Sequence, residues 1–179
     1  MYYDVMENTL AGNLTLVGDE SGLCFINFQQ GKTPLTVRHE WRYDRRIFKP
    51  VKEQLYAYFC GDLRTFDLKL TPSGTRFQLK VWESLAEIPY GELTTYSAIA
   101  KKIGNPKAVR AVGGANARNP LPIVLPCHRV IGSNGTLTGF GGGLDVKERL
   151  IALERGASAK LQATLPFDKW DGAESNRNE

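Results

Sequence analysis

Residues 93–120 read LTTYSAIAKKIGNPKAVRAVGGANARNP, and this stretch decides the fold. Thr94 or Thr95 can cap a first short helix, Gly104 stops it, Asn105 caps a second, and Pro106 takes the first position of that second helix. Two short helices about a glycine-containing turn, with Lys101, Lys102 and Lys107 beside it, predict a helix-turn-helix; an ordinary αα-hairpin is the alternative. Past Arg110 the middle of the second helix is Ala111, Val112, Gly113, Gly114 and Ala115. A helix that reads base edges in the major groove needs several long polar side chains. A small-faced helix with one long cation suits close approach to a backbone, or entry into a narrow groove.

Upstream, FQLKVWESLAEI (77–88) sets Phe77, Val81, Trp82, Leu85 and Ile88 on one apolar stripe, ended by Pro89-Tyr90-Gly91. TPSGT (71–75) is a cluster of breakers and marks a domain boundary. Before it, LTLVG (14–18) and LCFINF (23–28) read as strands around the turn-rich DESG. Pro50 opens a helix with Val51, Leu55, Tyr58 and Phe59 on one face, and FDLKL (66–70) alternates as a further strand. The expected architecture is α+β. A small N-terminal β-rich α/β domain (1–71) precedes a mainly helical domain with the helix-turn-helix (76–155) and a C-terminal tail (156–179), which looks partly disordered after Gly172.

Of the 179 residues, 42% are hydrophobic and 23% charged, which excludes disordered, collagen-like and membrane classes. No run approaches the roughly 18 apolar residues of a spanning helix, and MYYDVMENTL has no apolar core of a signal peptide. Three widely spaced cysteines, Cys24, Cys60 and Cys127, argue for a reducing compartment, hence a cytoplasmic or, in a eukaryote, nuclear protein. The net charge of +4 is unevenly spread: nine Lys/Arg meet nine Asp/Glu in 1–75, eleven meet six in 76–155, and three meet four thereafter. No acid lies between Glu92 and Asp145, where Lys101, Lys102, Lys107, Arg110, Arg118 and Arg129 all fall. Such a one-sided field fits a polyanionic partner or a basic solvated face.

Chemistry concentrates after the second helix. Asn119-Pro120-Leu121-Pro122 leads through an apolar run to Pro126-Cys127-His128-Arg129-Val130, and the three prolines hold Cys127 in a rigid loop. A thiol attacks as its thiolate and needs a base or positive charge nearby, which His128 and Arg129 offer. Cys24, inside a strand, and Cys60, at a helix end, read as inert core thiols. With only His39 and His128 available, no zinc-type ligand set forms, and neither metal nor cofactor is expected.

IPYGELTTYSAIA, NPKAVRAVGGA, NPLPIVLPCHRVIG and TGFGGGLDVKERLIALE together resemble the O6-alkylguanine-DNA alkyltransferases, the methylated-DNA–protein-cysteine methyltransferases. The likeness covers about residues 75–155 in unbroken order, and the β-rich first third is similar to the family's less constrained first domain.

The resemblance implies DNA repair by a single, irreversible transfer from O6-alkylguanine, and from O4-alkylthymine, to Cys127. His128 would act as base through a water, Glu154 would orient it, Asn119 would fix the turn, and Tyr96 would donate its hydroxyl to the departing base. Arg110 would fill the gap left by a flipped nucleotide, with Lys101, Lys102, Lys107 and Arg118 on phosphates. Val130, Phe140, Gly141, Asn116 and Tyr96 would line the base pocket, the backbone of Val130 and Gly141 reading the base edge. The implied partner is double-stranded DNA, bound largely without sequence specificity through the minor groove by a monomer, with no membrane involved.

Two positions depart from many family members. Phe140 stands where a tyrosine is common, and Asn116 stands where some members carry a larger apolar wedge. The zinc ligands seen in some relatives' first domains are also missing. Other function classes remain: a lesion-recognition protein without transfer, a helix-turn-helix regulator, and a thiol hydrolase. The presence of Cys127 with His128 and Glu154 favours transfer over the first, and the small-faced helix disfavours the second. Repeated turnover of an ester or peptide would mark the third.

Overall fold

The computed structural model describes residues 1–156; the part of the tail reading from residue 157 onward lies outside them. Strands β1 (Tyr2–Thr9), β2 (Gly12–Asp19) and β3 (Gly22–Phe28) form an antiparallel meander, and β4 (Arg42–Tyr43) adds in parallel to β1, giving the order β3-β2-β1-β4. Strand β1 has no counterpart in the sequence reading. Asp4, Glu7 and Asn8 break its hydrophobic pattern, yet Asp4 is buried and held by the Lys52 ammonium at 2.9 Å, a pairing that burial of a carboxylate requires.

The strand expected over 66–70 does not form. Only Leu70 bridges β3, through Leu23, whose N–H donates to Lys69 O and whose carbonyl accepts from Thr71 N. Further along β3 the Ile26 N–H donates instead to Pro120 O at 2.8 Å, so that edge is divided between two segments. Gly22 permits the crowding at its start: at φ +147° an added Cβ would lie 2.4 Å from Lys69 O.

Helix α1 (Lys49–Phe59) has Pro50 in its first turn and buries Val51, Leu55, Tyr58 and Phe59, the face expected from spacing. Helix α2 (Arg76–Ala86) starts in a capping box: Gln78 N–H donates to Thr75 Oγ1, and Thr75 N–H donates to Gln78 Oε1. Its Val81, Trp82 and Leu85 are buried, and Trp82 Nε1 donates to Ala115 O at 2.9 Å.

The two-residue strand β5 (Thr94–Thr95) leads into α3 (Tyr96–Lys102), capped by Thr95 through Ala98 N–H; Gly104 at φ +78° reverses the chain. The second helix, α4 (Val109–Ala117), begins later than expected. Asn105 does not cap it and Pro106 is not helical. Ala108 N–H donates to the Asn105 carbonyl, closing a separate turn over 105–108 before the helix starts. The two helices still form the expected helix-turn-helix.

A short strand β6 (Val130–Ile131) pairs in parallel with β5, and α5 (Leu144–Glu154) closes the described chain. One hydrophobic core runs through both halves, from Leu14, Leu16 and Leu55 to Val112, Leu121 and Leu150.

Candidate active site

Cys127, His128 and Arg129 form one turn of 3₁₀ helix, all three buried, between Pro126 and β6. Asn119 pins the approach: its Nδ2 donates to Leu125 O at 2.7 Å, and its Oδ1 accepts from Leu121 N–H at 3.0 Å. Burial pushes the Cys127 thiol up to about 11, against a hydrogen bond from Asn119 and the charge of Lys147, both of which favour the thiolate.

His128 is closed to solvent. Its Nε2 lies 2.8 Å from Glu154 Oε1, and its Nδ1 has no partner among the described residues. Burial lowers its affinity for a proton, opposed by Glu154, so the ring is neutral at neutral pH. A carboxylate only accepts, so Nε2 carries the hydrogen and Nδ1 keeps a free lone pair. Glu154 also accepts from Tyr58 Oη at 2.6 Å, Gly91 N–H at 3.0 Å, and Arg129 Nε and Nη2 at 2.9 Å each. Burial works to raise this carboxyl, but bonds from His128, Arg129 and Tyr58 hold it at about 2. Glu154 is thus a fixed acceptor, and Arg129 is its counter-ion.

Lys147 on α5 is fully buried, with Nζ donating to Val130 O at 2.6 Å and Thr138 O at 2.9 Å. Among the described residues no acid pairs with it; burial draws it down to about 8, while Cys127 pulls the other way. The carbonyls of Val130 and Gly141 already have donors, Lys147 Nζ for the first and Lys32 N–H, at 3.0 Å, for the second. A base edge reaching either would share the oxygen's second lone pair.

A chamber of about 70 Å³ opens at Cys127, lined by Asn116, Asn119, Phe140 and Gly141 and, from the N-terminal half, by Asn27, Phe28 and Thr33. Tyr96 and Val130 do not line it. The Tyr96 hydroxyl accepts from Thr138 Oγ1 at 2.9 Å, and Phe140 packs edge-on against Phe28. At about 70 Å³ the chamber is far below the roughly 300 Å³ lower bound of ordinary ligand pockets, so it has room for a substituent and not for a base.

Arg110 on α4, Lys101 on α3 and Lys107 in the turn are exposed and carry no ion pair among the described residues. Two other expected phosphate contacts are engaged within the chain: Lys102 pairs with Glu87 at 2.8 Å, and Arg118 Nη1 donates to Gly114 O at 3.2 Å. Cys24 and Cys60 are half-buried where core thiols were expected. Cys24 Sγ lies 3.2 Å from Thr71 Oγ1, at the strand edge that the 69–71 segment covers. Cys60, at the end of α1, opens onto a cleft of about 660 Å³ beside Arg64, Tyr90 and Glu154. Sequence reasoning missed Tyr58, Gly91 and Lys147, and it offered Arg129 as a charge for the thiol, whereas the structure pairs that guanidinium with Glu154. No local signal marks any of them, since their partners lie far along the chain.

Fold and site together define a buried thiol with a neutral histidine and a fixed carboxylate, set beside a helix-turn-helix. Residues 76–156 match the DNA binding domain and residues 1–72 the ribonuclease-like domain of 6-O-methylguanine DNA methyltransferase. A methylated-DNA–protein-cysteine methyltransferase of Methanosarcina acetivorans is 54% identical over 154 residues, covering 86% of this chain and 98% of the relative. One from Mycobacterium tuberculosis is 44% identical over 168 residues, covering 94% and 99%. The crystal structure of Mycobacterium tuberculosis OGT in complex with DNA superposes with a TM-score of 0.83 at 43% identity, covering 90% of this chain and 98% of that one. The chain belongs to the 6-O-methylguanine DNA methyltransferase family.

Proposed function

We propose that this protein repairs DNA by taking the alkyl group of O6-alkylguanine, or O4-alkylthymine, irreversibly onto its own Cys127. The observation that carries the reading is the orphaned Nδ1 of a buried neutral His128, one residue from the thiol and fixed from behind by Glu154. Identity of 44–54% to proteins named for this activity supports it.

His128 Nδ1 takes the thiol proton through one water, and the imidazolium so formed is stabilised by Glu154. Cys127 Sγ then attacks the alkyl carbon in line. The S–C bond forms as the C–O6 bond breaks, the electron pair passes to the guanine, and the Tyr96 hydroxyl donates to the base as it leaves. Asn119 holds the turn and Lys147 favours the thiolate. The S-alkyl product has no route back to a thiol, so each molecule acts once.

Base pairing hides O6 from the chamber, so the damaged nucleotide is flipped out of the duplex, at a cost of a few kcal/mol. Arg110 enters the vacated stack from the minor groove, while Lys101 and Lys107 contact phosphates without reading sequence; Lys102 and Arg118 join them once released from Glu87 and Gly114. The base sits among Val130, Tyr96, Phe140 and Gly141, with its alkyl group toward Cys127. The division at 71–75 belongs to this reading: residues 1–71 roof the chamber and 76–155 carry the chemistry and the DNA face. The protein acts as a monomer, in the cytoplasm, where its three cysteines stay reduced.

The test is incubation with duplex DNA containing O6-methylguanine, followed by peptide mass spectrometry. One methyl group on the Cys127 peptide is expected. Tight binding to the lesion without any added methyl would establish the lesion-recognition alternative instead.

A further inference from the structure

We infer, on the basis of that transfer reading, that Asn116 is a specificity-determining residue whose side-chain oxygen accepts a hydrogen bond from a hydroxyl on the alkyl group. The protein thereby favours O6-(2-hydroxyethyl)guanine over its hydrocarbon isostere O6-propylguanine.

The inference rests on the hydrogen bonds of the chamber beside Cys127. Its polar lining comes from Asn27, Thr33, Asn116 and Asn119. Asn27 is engaged at both ends, Nδ2 donating to Thr33 O and Oδ1 accepting from Leu35 N–H. Asn119 is likewise engaged at both ends by the turn it pins. Thr33 is exposed and reaches bulk water. Asn116 differs. It is 4% exposed, and its Oδ1 is, with His128 Nδ1, one of two buried side-chain polar atoms without a partner among the described residues.

The amide orientation follows from its neighbour. Nδ2 faces the Cys127 carbonyl at 3.5 Å, and a carbonyl cannot donate, so the acceptor end must point the other way. A buried acceptor with no donor is costly unless a ligand supplies one. The His128 orphan is met by the proton relay of the proposed reaction. Nothing in that reaction serves Asn116 when the transferred group is methyl.

Size points to the same class of substituent. The chamber of about 70 Å³ exceeds the roughly 10–15 Å³ that one water needs several times over, enough for two carbons and a hydroxyl beyond the sulfur. Phe28 and Phe140 supply apolar walls for the carbons. Transfer leaves the hydroxyl intact: the S–C bond forms, the C–O6 bond breaks, and the electron pair goes to the guanine.

The experiment compares second-order rate constants on duplexes carrying O6-methyl-, O6-(2-hydroxyethyl)- and O6-propylguanine, for the protein and for Asn116→Leu. The hydroxyethyl-to-propyl ratio should fall about tenfold in the variant, the effect of one hydrogen bond to a buried acceptor. An unchanged ratio overturns the inference, because the carboxamide would then serve the base or the fold. A protein that moves no methyl group to Cys127 overturns the transfer reading itself. Should Asn116→Leu fail to fold, the crystal structure of the unaltered protein bearing S-(2-hydroxyethyl)-Cys127 decides. The hydroxyl within about 3 Å of Asn116 Oδ1 supports the inference, and a hydroxyl turned away from it is the contrary result.

Discussion

Glu154 Oε1 lies 2.8 Å from His128 Nε2, and this contact leaves the Nδ1 lone pair without a partner among the described residues. Glu154→Gln replaces an acceptor by a group that can donate, allowing the ring to adopt the opposite tautomer. Single-turnover transfer from O6-methylguanine should slow by about a hundredfold or more. Because burial keeps the His128 proton affinity below its ordinary value, the rate of the unaltered protein should stay level below neutrality and decline only under pH 6.5. A decline already complete at pH 7 would contradict the neutral histidine.

The same carboxylate makes the fold acid-sensitive. Glu154 is held at about 2, below its ordinary value of 4.5, so its stabilisation is fully present above about pH 4.5 and is lost as pH falls toward 2. His128, with its affinity lowered, adds loss in the same direction below 6.5. From Glu154 alone the contribution is on the order of 3 kcal/mol. Urea midpoints measured between pH 6 and pH 3 should fall steadily, and Glu154→Gln should flatten the part of that slope below pH 4.5.

Lys147 is a buried cation that no acid among the described residues neutralises, and Cys127 is the group its field reaches. Lys147→Met should therefore push the thiol higher still and slow alkylation by iodoacetamide at pH 8 by about tenfold. The pH profile of that reaction should move upward as a whole. A lower rate with an unmoved profile would reduce Lys147 to a brace between Val130 and Thr138.

Arg110 is exposed at the start of α4 and makes no ion pair among the described residues, so its removal leaves the fold intact. Arg110→Ala should cut repair of duplex substrate at least tenfold while reaction with free O6-benzylguanine changes little, since a free base needs no flipping. Equal losses on both substrates would exclude the stack-filling role.

The features legible in the sequence are those whose cause is local. Proline-framed Cys127, the Thr95 cap, Gly104 and the apolar face of α1 each act within a few residues of themselves. The illegible ones depend on distant chain. Tyr58 lies on the apolar face that packs α1 into the core, and only Glu154, brought to it by the fold, gives its hydroxyl a purpose. Lys147 looks like one more surface cation on a charged helix until α5 turns it inward onto β6. Alternation over 66–70 was misleading because a strand needs a free edge, and Pro120 already occupies part of it. Asn105-Pro106 carries the signature of a helix start, but the same residues also suit a turn, which is what forms.

The hydrogen bond from Tyr58 to Glu154 joins residues 96 positions apart, and that from Arg149 to Leu10 spans 139. Contacts at such separation are slow to form, because long loops close before anything rewards them. On the ribosome, a chain that has emerged only as far as Arg129 holds its thiol, its histidine and its arginine, and has no carboxylate to receive them. The cluster around Cys127 is therefore complete only once the final described helix has docked, and a truncated translation product ending before it would display the Cys127 motif without its buried carboxylate.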